Sequence, residues 1–171
     1  LAMSMQPVVP TLSPSMDIQV SSNFERLLFE MNNRDGSATA QQLQRFRTNG
    51  ELMVEPDQYS TWITPTFRAH RSTDSETLAV MKRMYNEHKM LVDPHTAVGI
   101  AAAEEFAVRG TPMITLATAH PAKFPDAVEK ATGVRPGLPE HVADLFERNE
   151  RIVNLPNDLK AVEAFVASHH S

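Results

Sequence analysis

Apolar residues recur along this chain mostly at helical spacing. Phe24, Leu27, Leu28 and Met31 fall at i, i+3, i+4 and i+7, one face of a helix that Ser21 or Ser22 is placed to cap. Asn33, Asp35 and Gly36 stop it, and Ser37 is placed to open a second helix carrying Leu43 and Phe46. Asn49-Gly50 ends that helix. Glu51 to Val54 then reads as a connector, and 56–63 as a short helix before Pro65. Thr73 or Asp74, with Glu76, opens a stronger helix striped by Leu78, Met81 and Tyr85.

Asp93-Pro94 is a sharper start signal. Asp is a good N-cap, and Pro suits the first helical position because its missing N–H is not needed there. The helix that follows, Ala97-Val98-Gly99-Ile100-Ala101-Ala102-Ala103 and on to Phe106, is apolar on most sides and rich in small residues. That composition predicts burial and close approach to other backbone. After Gly110, residues 112–117 read as a short buried strand. Thr118 to Pro121 is a turn into a helix carrying Phe124, Ala127, Val128 and Ala131, ended by Gly133. Pro139 is placed to start another helix with Val142, Leu145 and Phe146. Residues 151–155 read as a second strand, and Asn157 or Asp158 caps a last helix through Leu159, Val162, Phe165 and Val166. The class expected is α/β and helix-rich, with few short strands. The chain is expected to divide into a tail or artificial remnant (1–6), a mainly helical segment (7–90) and an α/β segment (91–171). His169-His170 is expected to be a loose tail.

Composition narrows the chemistry. The 171 residues carry a net charge of -5, which argues against a nucleic-acid or anionic-membrane partner. No apolar run approaches the ~20 residues needed to cross a bilayer, no basic-then-apolar leader is present, and a cytoplasmic location is expected. With no cysteine there is no disulfide, thiolate nucleophile or Cys-based zinc site. The first residue is Leu1 rather than Met, which leads to the expectation of an excised piece.

No Gly-rich loop follows a strand, and none of the seven histidines has metal-ligand spacing, so no metal is expected. A hydrolase or metal enzyme built on His120 and Asp126 lacks any nucleophile–base or ligand spacing. The turn at Thr118-Ala119-His120-Pro121 is more informative, because ligands in open α/β sheets collect at the carboxyl ends of strands. The residues alone leave two readings open. The Thr118 hydroxyl faces a ligand crevice, or Thr118 or His120 merely caps the next helix. Asp93, His95 and Thr96 are similarly either a capped helix start or part of a cleft wall, and Ser13, Ser15 and Asp17 either line a cleft or stabilise a loop.

Three segments, in order, resemble threonine synthases of the enterobacterial and fungal type. They are Ser13-Pro14-Ser15-Met16-Asp17-Ile18-Gln19 through Asn23-Phe24-Glu25-Arg26-Leu27-Leu28-Phe29-Glu30, then Val92-Asp93-Pro94-His95-Thr96-Ala97-Val98-Gly99, then Ala117-Thr118-Ala119-His120-Pro121-Ala122-Lys123-Phe124. The resemblance covers nearly all of the chain after residue 6. It implies the C-terminal portion of a fold shared with tryptophan synthase β subunits. It also implies a pyridoxal 5'-phosphate (PLP) enzyme that converts O-phospho-L-homoserine and water to L-threonine and phosphate. Thr118 matches the residue whose hydroxyl meets the pyridine nitrogen of PLP, and His120, His95, Thr96 and Ser15 become candidate cleft-lining residues. The family's Schiff-base lysine and phosphate-binding loop lie earlier in its chain, and neither motif occurs here. The five lysines are Lys82, Lys89, Lys123, Lys130 and Lys160, and Lys123 falls in the structural His-Pro-Ala-Lys-Phe run. The resemblance therefore implies that this chain alone is inactive and holds no PLP by itself. Its partner is then the missing N-terminal part of the same enzyme. The competing expectation is a non-enzymatic helical interaction module.

Overall fold

The computed structural model describes residues 2–169. Within it the chain divides into two compact units, one running to Pro136 and the other starting at Gly137.

The first unit has two apolar clusters. Helix α1 (Phe24–Met31) and helix α2 (Gly36–Asn49) bury Leu28, Met31, Leu43 and Phe46 against each other and against Leu52 and Val54. Asn23 occupies the N-cap of α1 without a side-chain bond, so neither Ser21 nor Ser22 caps it. Asp35, not Ser37, caps α2, because its backbone is extended and its carboxylate accepts the Ala38 N–H at 3.0 Å. Strand β1 (Ala2–Ser4) pairs antiparallel with β2 (Glu51–Met53), placing Met3 opposite Leu52. The stretch expected as a tail is thus tied to the first cluster, which Met3 and Met5 cover. Residue 1 of that stretch lies outside the described residues. Helix α3 (Pro56–Gln58) widens into a π turn over Tyr59–Ile63.

The second cluster holds the region of interest. Helices α4 (Asp74–His88), α5 (Pro94–Phe106) and α6 (Pro125–Thr132) bury Val80, Met81, Ala97, Val128 and Ala131 together, with Val92 between α4 and α5. The expected change of segment at 90/91 lies between α4 and α5, which pack on one another. A linker joins the two clusters, and His70 clamps it: the ring bridges Ser72 Oγ at 2.9 Å and Glu105 near the end of α5 at 2.5 Å. The α5 face is small enough for close approach. A Cβ added at Gly99 would lie 3.1 Å from the Thr115 methyl, so a larger residue pushes segment 112–117 outward.

That segment is unpaired, as is 151–155, so neither is a strand among the described residues. Local apolar, β-branched character predicts an extended backbone, but a strand also needs a neighbour to accept its N–H and C=O groups. Ile114 and Leu116 stay 82% and 74% exposed. The helix expected from Pro139 is reduced to 3-10 turns at Glu140–Val142 and Leu145–Glu147, where no residue is buried. A short helix without a face to bury has little to hold it.

In the second unit, helix α7 (Leu159–Ser168) is capped by Asp158, which accepts the Ala161 N–H at 2.8 Å, and it too buries nothing. His169 is not a loose tail, since its ring lies 4.2 Å from that of Phe165. His170 lies outside the described residues.

Met81 is fully buried, so Met81→Ala should cost about 2–5 kcal/mol in denaturant unfolding. Phe146→Ala, at a residue 86% exposed, should cost less than about 0.5 kcal/mol. Helix α4 opens on a capping box in which Glu76 accepts from the Thr73 N–H and hydroxyl, each at 2.7 Å. Those bonds hold the Glu76 carboxyl below the ordinary glutamate range, the backbone bond most strongly. The box is therefore intact above the unfolded-state value of about 4.3 and is lost as pH falls through the lower folded value. Amide protection in the first turn of α4, taken relative to the intrinsic exchange rate at each pH, should fall over that window, and Glu76→Gln should flatten the response.

Candidate functional site

The site grows from the start of α5. Asp93 is extended and wholly buried, and its carboxylate accepts the N–H groups of His95 at 3.0 Å and Thr96 at 3.2 Å. These are two of the donors that a helix N-terminus leaves without intrahelical partners. The same carboxylate accepts two side-chain donors: His95 Nδ1 at 2.7 Å on Oδ2, and the Thr96 hydroxyl on Oδ1. A buried carboxylate needs such donors to offset its lost hydration.

Each of these side chains passes the connection on. His95 Nε2 accepts the backbone N–H of Ser15 at 3.1 Å. Since Nε2 accepts there, the proton sits on Nδ1, where it faces Asp93. The Thr96 hydroxyl, which donates to Asp93, accepts the backbone N–H of Thr118 at 3.2 Å. One carboxylate thus reaches two segments, 80 residues upstream of His95 and 22 downstream of Thr96. Phe124 packs on the His95 ring with centroids 4.6 Å apart and holds it in place. Upstream, Asp17 accepts from the Thr11 N–H and hydroxyl, both at 2.7 Å, and closes the loop around the turn at Pro14–Met16.

Thr118 itself is exposed. Its hydroxyl makes no hydrogen bond among the described residues. It lines an open concavity of about 330 Å³ together with Met16, His95, Gly99 and Thr115. No lysine lines that concavity. Arg68 is at its rim, its guanidinium 5.6 Å from the centroid of Phe106.

The sequence-predicted residues are therefore only partly gathered. His95 and Thr118 share one concavity, with Thr96 buried beneath them. Ser15 enters through its backbone N–H, and its neighbour Met16 lines the wall. His120 stands apart from His95 and Thr118, although Thr96 also lines the concavity it faces. Its Nδ1 accepts the Ala122 N–H at 3.2 Å and caps the 3-10 turn at Pro121–Lys123, while its side lines a different concavity with Met84, Ile100 and Ala119. Lys123 is exposed, its ammonium 5.8 Å from the Phe124 ring centroid. Sequence reasoning did not single out Met16 and Gly99 as wall residues. The Gly among alanines was the available signal, since a residue without Cβ marks close approach. Among the described residues no group of three or more His, Asp or Glu is placed to hold a metal, and no helix is long and apolar enough to cross a membrane.

Residues 96–166 match the family model described as threonine synthase, C-terminal. The chain is 51% identical to the threonine synthase of Pseudomonas aeruginosa over 94% of its own length and 34% of that protein's. It is 34% identical to the threonine synthase of Saccharomyces cerevisiae over 91% of its length and 34% of that protein's. Among solved structures, PLP-bound threonine synthase from Brucella melitensis superposes with a TM-score of 0.79 at 46% identity, covering 98% of this chain and 36% of that one. Threonine synthase from yeast superposes at 0.72 and 31% identity, covering 98% and 38%. The chain spans about a third of the length of these relatives. It belongs to the threonine synthase family, whose C-terminal portion it matches in sequence and in its helix-rich α/β fold.

Proposed function

We propose that this chain is the C-terminal portion of a PLP-dependent enzyme that converts O-phospho-L-homoserine and water to L-threonine and phosphate. In this reading Thr118 supplies the hydroxyl that meets the pyridine nitrogen. The observation that carries it is the exposed, unpartnered Thr118 hydroxyl, facing a concavity while its own backbone is held from behind by Thr96. The residues fit such a ring. The walls that suit a flat heterocycle are Met16, Gly99, Ala102, Phe106 and Thr115, small or apolar groups, while His95 and the charged Arg68 also line the concavity and, among the described residues, no carboxylate does.

When bound, PLP withdraws electrons from the substrate's reacting carbons. The chain's own contribution is to set how strongly. A carboxylate at position 118 would favour a protonated pyridine nitrogen. A hydroxyl donates to an unprotonated one and keeps the ring a weaker electron sink. The buried network beneath Thr118 fixes where that hydroxyl sits, and the Pro14–Met16 turn walls the same concavity.

The lysine that binds the cofactor covalently, and the loop that holds its phosphate, come in this reading from the N-terminal portion of the enzyme. No lysine lines the Thr118 concavity, and the chain spans about a third of its relatives. The exposed apolar segment carrying Ile114 and Leu116 would dock against that portion, which also accounts for the interaction surface a binding module would need. Alone, the chain is inactive.

Two measurements test the reading. PLP added to this chain alone should give neither the absorbance of a lysine-bound cofactor nor phosphate release from O-phospho-L-homoserine. Supplying the N-terminal portion of a threonine synthase should restore both, whereas turnover by the chain alone would contradict the assignment. In the restored enzyme, Thr118→Ala should lower kcat by on the order of tenfold, the loss of one hydrogen bond to the ring, with Thr118→Ser recovering most of it.

A further inference from the structure

Asp93 has a second use beyond capping α5. A helix cap needs one side-chain oxygen and one or two backbone N–H groups. Asp93 makes both backbone bonds and also takes the Nδ1 proton of His95 and the Thr96 hydroxyl, one on each oxygen. The extra bonds aim His95 and Thr96 at two different backbone amides, those of Ser15 and Thr118. All three side chains are buried, with exposures of 0%, 5% and 5%, so water does not compete for these bonds. The two amides belong to segments that wall one concavity, through Met16 on one side and Thr118 on the other.

We propose that Asp93 is a positioning residue with two separable arms: through Thr96 it sets Thr118 for the pyridine nitrogen, and through His95 it sets the opposing turn at Pro14–Met16. This rests on the cofactor role proposed for Thr118 and adds the residues that place it. Thr96 is the specific link. Its hydroxyl must donate to Asp93 to leave its lone pair aimed at the Thr118 N–H, so a methyl in its place breaks both bonds at once. His95 is the other link, and its Nε2 accepts only because Nδ1 is committed to Asp93.

The test uses Thr96→Val, Thr96→Ser, His95→Asn, Thr118→Ala and the double variant Thr96→Val/Thr118→Ala in the PLP-binding enzyme. Two readouts are taken: amide exchange at Thr118 and Ser15, and the dissociation constant for PLP. Thr96→Val should speed exchange at Thr118 by about tenfold, leave Ser15 unchanged and weaken PLP by about the same factor, the scale of one hydrogen bond. Thr96→Ser keeps the hydroxyl and should restore both values. His95→Asn keeps a donor for Asp93 but loses the acceptor for Ser15, so exchange should rise at Ser15 alone and PLP affinity should hold. If Thr96 acts through Thr118, Thr96→Val should add nothing to the PLP affinity lost in Thr118→Ala.

Additive losses in the double variant, no change at the Thr118 amide in Thr96→Val, or equal acceleration at both amides in either variant would each overturn the proposal. The last would mean one structural unit rather than two arms. If exchange separates as expected but Thr118→Ala leaves PLP affinity intact, the two-arm coupling stands and the cofactor role of Thr118 falls.

Discussion

The carboxylate of Asp93 is the constraint on which the site depends. It is wholly buried, and an unpaired charge there would cost several kcal/mol. Four donors meet it, and satisfying them fixes the first turn of α5, the His95 ring and the Thr96 rotamer together. Because His95 and Thr96 then accept from distant backbone, a local cap becomes a long-range tie. Phe124 on the His95 ring and Gly99 against Thr115 complete the fit from either side.

The neighbouring packing serves that tie. Helices α4, α5 and α6 share one apolar cluster around Met81, Ala97 and Val128, which gives α5 a rigid seat. Segment 112–117 lies along the small-residue face of α5 and delivers Thr118 to the end of it. It has no strand partner among the described residues, and Ile114 and Leu116 are exposed. The segment meets α5 at Gly99 through Thr115, while Ile114 and Leu116 leave apolar surface exposed around the same concavity. The support behind Thr118 is thus already in place within this chain, as a preorganised site requires.

The sequence carried the helices well, because an apolar stripe at 3.6-residue spacing fits one face of a helix and neither face of a strand. Caps were legible where the chemistry is local. Asp93-Pro94, Thr73 with Glu76, and Asp158 each bond to N–H groups two or three residues on. Ser21, Ser22 and Ser37 have the right side chains too, but the extended backbone that permits capping falls at Asp35 for α2 and at no such residue for α1. β1 was unreadable because its partner lies some fifty residues away and three residues show no alternation. Segments 112–117 and 151–155 failed for the opposite reason: their propensity is real, but pairing is a property of two segments. For the site, Thr118, His95 and Thr96 could be singled out by type and place. That Thr96 holds Thr118, and that His120 turns away to cap its own turn, depends on contacts that spacing does not encode.

The central claim concerns one atom. A crystal structure of the complete PLP-loaded enzyme would measure the distance from the Thr118 hydroxyl oxygen to the pyridine nitrogen directly. The account predicts a hydrogen bond of about 2.7–3.0 Å, with no carboxylate competing for that nitrogen. A ring nitrogen met by an Asp or Glu, or a Thr118 hydroxyl well beyond bonding reach of it, would contradict the account.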